Sequence, residues 1–174
     1  MDDVTTIVVG IDGSPASRDA LVYALQDAGR RHARLRVVAA APELQFWGTA
    51  YGLGMYGMGV PPTTAEIVAD VRAAAQRMID EVSAAHPGTA AVSIDLVTAA
   101  GAPAEVLLSA AQDADLLVLG HRGRGGISSA LLGSVGLQCV LHATCPVTVV
   151  RPQTAPGTLA PAATDGAAAP ATVG

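Results

Sequence analysis

The chain has 174 residues, half of them apolar and only 3% aromatic, which is enough for one domain with a sizeable core. Charged residues are 14% and the formal net charge is −5, which excludes a disordered polyelectrolyte and disfavours non-specific binding to nucleic-acid phosphates. All ten Lys-or-Arg positions hold Arg, so neither a lysine Schiff base nor a P-loop of the GxxxxGK[ST] form can exist.

The first residues, Met1 to Thr6, lack a basic n-region and an apolar h-region, so no signal peptide is expected. Thr5 to Ile11 is a short run rich in β-branched residues, as expected of a strand buried on both faces. It ends in Asp12-Gly13-Ser14-Pro15, where Ser14 suits a helix cap and Pro15 its first position. Ala20, Leu21, Ala24, Leu25 and Ala28 then recur at helical spacing. Leu35 to Ala41 reads as a second strand, stopped by Pro42.

Residues 42–62 follow no period, and Gly, Met, Tyr and one Trp alternate until Pro61-Pro62. Loops longer than about 12–15 residues are uncommon in compact domains and are often functional. Thr63 or Thr64 caps a long helix whose inward face is Ile67, Val71, Ala74, Met78, Ile79 and Val82. His86-Pro87-Gly88 ends it.

Val92, Ile94, Leu96 and Thr98 alternate with other residues, giving a partly exposed third strand near an edge. After Gly101, Pro103 starts a helix through Val106, Leu107, Ala110 and Ala111. Asp115 to Leu119 is a fourth, buried strand, then come a Gly-rich loop and a helix over Ser134 to His142. Pro146 to Arg151 is a fifth strand. The Ala-, Pro- and Thr-rich tail, 152–174, is expected to be disordered, and residues 1–151 to form the domain.

Strands alternating with helices imply an α/β fold with a mostly parallel sheet and right-handed crossovers. Ligands of such sheets bind beyond the carboxyl ends of the strands, here at Asp12, Ala40, Gly101 and Gly120. Gly120-His121-Arg122-Gly123-Arg124 leaves the fourth strand, and Gly133-Ser134 opens a helix some ten residues later. Glycines admit a ligand close to backbone N–H groups, and a helix N-terminus favours an anion. Ser134 can cap that helix or offer its hydroxyl to a phosphate. Together they describe a phosphate cradle built without lysine.

Gly120-x2-Gly123-x9-Gly133-Ser134 resembles the G-x2-G-x9-G-[ST] signature of ATP-binding universal stress proteins. Ile7 to Ser14 and His142 to Val147 extend the resemblance, which spans about residues 4 to 151. It implies a single Rossmann-like domain, similar to adenine-nucleotide hydrolases in fold. The sheet order would be 3-2-1-4-5, with helices on both faces. It also implies ATP, with Mg2+ accompanying it, across the carboxyl edge. The implied nucleotide site is Gly10, Asp12, Ala40, Gly120, Gly123, Gly133, Ser134 and Val135, with Asp12 and Ala40 at the base. His121, Arg122 and Arg124 occupy variable positions that could meet phosphate or only water. A homodimer through the strand at 146–151 is implied as well, along with a regulatory role in stress response and no catalytic residue.

Other features weigh less. Gly52 to Gly57 matches GxGxxG but does not lead directly from a strand into a helix, so a lid or dimer contact by Trp47, Tyr51 and Tyr56 fits better. The four histidines lack metal-site spacing. Cys139 and Cys145 read as reduced thiols, and no apolar run approaches the ~18 residues of a membrane span, so a cytoplasmic protein without membrane partner is expected. Cyclic-AMP binding, slow ATP hydrolysis and a protein-interaction module with structural nucleotide stand as alternatives.

Overall fold

The computed structural model describes residues 4–43, 62–123 and 132–151. Among them five parallel strands form one sheet: β1 (Thr6–Gly10), β2 (Arg34–Ala41), β3 (Ile94–Ala100), β4 (Leu116–Gly120) and β5 (Val147–Val150). Their order is β3-β2-β1-β4-β5, as the resemblance implied. Four α-helices among the described residues accompany them: α1 (Pro15–Arg31), α2 (Thr64–Ala85), α3 (Pro103–Ala110) and α4 (Ser134–His142). None of these is long and apolar enough to cross a membrane.

The apolar runs of β1 and β4 are explained by their central places. Ile7 and Val9 face a core with Leu21, Leu25, Val37, Ile79 and Val118 under α1 and α2. Val8 faces the other way, into a core with Val38, Leu107, Leu117, Leu119 and Cys139 under α3 and α4. Alternate residues therefore supply opposite faces, and each fully buried Ile, Val or Leu contributes about 1.5–3 kcal/mol.

Local chemistry sets the boundaries. Ser14 caps α1 by accepting the Ser17 N–H at 3.2 Å, with Pro15 at the first helical position. The chain leaves α1 through His32, in the left-handed region at φ 54°. Thr63, not Thr64, caps α2 in a reciprocal capping box with Glu66. On α2 Ala75 is buried with Ile67, Ile79 and Val82 while Ala74 is exposed, because Ala75 lies four residues from Val71 and Ile79 on the inward stripe. β3 begins at Ile94, two residues later than the alternation suggested. The Val92 N–H is spent on Thr89 O in a short 3₁₀ turn over Pro87–Thr89.

Arg36 joins β2 to the C-terminal end of α3, donating at 2.8 Å both to Ala110 O and to Asp113 Oδ1. That pairing raises the guanidinium pKa and lowers that of the Asp113 carboxyl, in each case chiefly through the side-chain hydrogen bond. The aromatic and Gly-rich residues of 44–61, Arg124 and the 152–174 tail lie outside the described residues.

Candidate functional site

Strand order reverses between β1 and β4: from β1 the chain builds outward through β2 and β3, then crosses to β4 on the other side. Helices that leave neighbouring strands in opposite directions open a crevice at the carboxyl edge. A cleft of about 340 Å³ occupies that place. Its walls combine Gly10, Asp12, Ala40, Gly120, Arg122, Gly123, Gly133, Ser134 and Val135. Nine residues of the sequence-derived set, from Gly10 to Val135, thus converge on one volume, while His121 does not line it and Arg124 lies outside the described residues.

The floor comes from the strand ends. The Ile11 N–H donates to Val38 O at 2.9 Å, which turns the backbone of Val38 toward β1. Two residues on, Ala40 presents its N–H and C=O to the same side. β1 has ended by then, and the chain departs through Asp12 and Gly13, which takes φ 84°. Ala40 therefore directs backbone hydrogen-bonding groups to the cleft floor, whatever its side chain.

Asp12 holds the turn together. Its Oδ1 accepts the Ser14 N–H at 2.9 Å, an Asx turn feeding the α1 cap. Its Oδ2 lies against the outgoing loop, because a Cβ at Gly123 would stand only 2.6 Å from it. The carboxylate thus touches both the start of α1 and the Gly-rich loop.

The far wall is the start of α4. Gly133 is its N-cap, with extended backbone and no side-chain cap bond, and Ser134 is the first helical residue. Ser134 is thus not the cap, which leaves its hydroxyl outside the capping role. Ser17 of α1 and Pro103 of α3 also line the cleft, so the first turns of three helices border it. The starts of α3 and α4, which have no side-chain cap bond, and the helix dipoles make such a place favourable to an anion. A Cβ at Gly133 would meet nothing closer than 3.8 Å, so the bare backbone there leaves the cradle open rather than relieving a clash.

His121 stands apart from the cleft. Its backbone N–H donates to Val150 O at 2.9 Å and its carbonyl accepts the Gly133 N–H at 3.0 Å. The neck of the loop is thereby tied to β5. The His121 Nδ1 is buried without a hydrogen-bond partner among the described residues. Gly101, at φ 147°, turns the chain beyond β3 and is not part of the cleft wall.

Sequence reasoning missed the apolar share of the wall: Ile11, Val38, Leu107, Leu119 and Leu132. Val38 was within reach, since it lies two residues before Ala40 on the same strand. Leu107 and Leu132 become neighbours only through tertiary packing. Cys139 and Cys145 pack beside the cleft's apolar floor, and burial pushes both thiols above their ordinary pKa. Among the described residues no group of three or more His, Cys, Asp or Glu could hold a metal ion.

A family model described as the universal stress protein family matches residues 4–151. A universal stress protein of Mycolicibacterium smegmatis is 35% identical over 152 residues, covering 87% of this chain and 47% of that protein. The universal stress protein Rv1996 of Mycobacterium tuberculosis is 32% identical over 161 residues, covering 86% and 49%. The chain thus spans about half the length of these curated relatives. Among solved structures, a universal stress protein in complex with cAMP superimposes with a TM-score of 0.61 at 26% identity, covering 86% of this chain and 98% of that one.

Proposed function

The chain belongs to the universal stress protein family, and we propose that it is a regulatory member that holds an adenine nucleotide, ATP first, in the carboxyl-edge cleft. One observation carries the reading: the loop start at Gly120, Arg122 and Gly123 and three helix starts meet a strand-end floor in a single cleft. Adenine fits the apolar part between Ile11, Val38, Ala40 and Leu107, with the Ala40 backbone and Asp12 as polar partners. Phosphates fit the backbone of Gly123, Gly133, Ser134 and Val135 at the start of α4, with Arg122 beside them. The Ser134 hydroxyl, not engaged as a cap, is available to a phosphate or to a Mg2+ ion travelling with ATP.

Cyclic AMP is the second reading, favoured by the solved relative that binds it. It uses the same base pocket and asks less of the phosphate wall. The two readings separate by ligand length, since only ATP needs the whole wall from Gly123 to Val135.

Residues 1–151 form the nucleotide-binding unit in this reading, in a cytoplasmic protein whose two cysteines are free thiols. Copies pair through β5 into a homodimer, because its outer edge carries the N–H and C=O groups of Val147 and Val149.

The test is to denature freshly purified protein and identify the released small molecules by mass spectrometry. ATP or ADP near one per chain supports the proposal. If nothing is released, calorimetric titration with ATP and with cyclic AMP follows. Binding of cyclic AMP alone replaces the first reading by the second, and binding of neither overturns both.

A further inference from the structure

The two outer strands of the sheet, β3 and β5, differ in how their edges are finished. The Leu35 N–H donates to Ser93 O, and the Gly101 N–H donates to Ala41 O. With the register Leu35↔Ile94, these bonds turn Asp95, Val97 and Ala99 toward β2. Ile94, Leu96, Thr98 and Ala100 therefore present their N–H and C=O groups outward, where another strand would pair. Inside that row, Leu96 O accepts a hydrogen bond from Arg72 Nη1 at 3.1 Å. Arg72 is an exposed residue of α2, next to Val71, which packs against the core.

The β5 edge is different. The Leu117 N–H donates to Pro146 O and the His121 N–H to Val150 O, so Thr148 and Val150 face β4 while Val147 and Val149 face outward. No side chain among the described residues bonds to those outward groups.

We propose that Arg72 guards the β3 edge, its guanidinium occupying the outward carbonyl of Leu96 and so preventing a second copy of this chain from adding a strand there. An added strand sits about 4.8 Å from its neighbour and must bond the outward carbonyls in turn. A guanidinium on the Leu96 carbonyl fills one of those places with a charged head whose donors need acceptors. The incoming strand would have to displace it and leave the charge near a dry interface. A sheet with two open edges could polymerise through both, whereas one with a closed edge stops at a pair. The inference concerns assembly and does not rest on the nucleotide reading. It stands whether the wild-type particle is one copy or two, because its test compares variants with wild type.

The experiment is light scattering coupled to size exclusion on the full chain, over a wide concentration range. It uses wild type, Arg72→Ala, and Arg72→Ala combined with Thr98→Pro. Alanine is a better helix former than arginine at an exposed site, so Arg72→Ala keeps the fold, which a thermal melt verifies. Proline at Thr98 deletes an outward N–H and leaves the bonds to β2 intact. Arg72→Ala is expected to reach at least twice the wild-type mass at high concentration, and the double variant to return to the wild-type mass. An Arg72→Ala protein that keeps the wild-type mass at every concentration overturns the proposal. So does growth that persists in the double variant, since another surface would then be responsible.

Discussion

Gly120 packs directly on the first turn of α1: a Cβ added to it would stand 2.6 Å from the carbonyl oxygen of Ala16 and 3.0 Å from the Ser17 nitrogen. Both neighbours are backbone atoms, so neither can rotate away. This glycine is the first of the spaced glycines Gly120-x2-Gly123-x9-Gly133, and its absent side chain serves helix–sheet packing. Gly120→Ala is therefore expected to destabilise the whole domain, by about 1–3 kcal/mol as overpacking typically does. A urea titration followed by circular dichroism measures it. An unchanged midpoint with lost ligand binding would show that the contact relaxes freely and that Gly120 serves the ligand alone.

Gly133 is the cleaner probe of the cleft. It has φ −69°, which any residue adopts, and a Cβ there has no contact closer than 3.8 Å. Gly133→Ala is expected to cost under about 1 kcal/mol of stability, the difference between Gly and Ala at a helix N-cap. The added methyl projects into the loop neck, where phosphate is proposed to lie. Calorimetry should show ATP affinity falling about tenfold, or roughly 1.4 kcal/mol. Retained affinity would remove the start of α4 from the phosphate site.

These two glycines show what a sequence can and cannot carry. Ser14-Pro15 announced a capped helix and the structure has it, because a cap is a local bargain between a hydroxyl and the N–H of Ser17. The parallel sheet was legible for a similar reason, since Ile7-Val8-Val9 without alternation needs cover on both faces. Gly120 was harder, because a glycine does not say what approaches it. The cap of α4 fell on Gly133 instead of Ser134, a one-residue choice set by where the chain turns in. Arg36 could not be assigned at all, as Ala110 and Asp113 lie 74 and 77 residues away. Its partners are a product of topology.

Acid should loosen the start of α2. Glu66 Oε2 accepts the Thr63 N–H at 2.7 Å and the Thr63 hydroxyl at 2.8 Å, and these two bonds, the backbone one first, lower the pKa of its carboxyl. A carboxylate whose folded pKa lies below its unfolded value stabilises the fold above that unfolded value, about 4.3 for Glu, and loses the contribution as pH falls through the folded pKa. Asp113 beside Arg36 adds to the same window with the same sign. Urea midpoints should therefore fall as the pH drops below about 4.3, the unfolded value for Glu, and Glu66→Gln should flatten part of that slope. Equal slopes in wild type and variant would mean that the capping box does not persist in solution.

The β5 edge offers the last prediction. Thr148 and Val150 spend their backbone groups on β4, so the strand's outward hydrogen bonding rests on Val147 and Val149. Two copies related by a two-fold axis would pair these residues antiparallel and extend the sheet across the interface. Wild-type protein should then scatter as twice the 17.4 kDa of one chain. Val149→Pro removes one outward N–H, and edge strands tolerate proline at such a position. In a two-fold pair the loss occurs twice, so the variant should elute as a single copy with its circular dichroism preserved. A variant that remains a pair would place the contact elsewhere, and the exposed face of α4 with Leu137, Val140 and Leu141 would be the next surface to substitute.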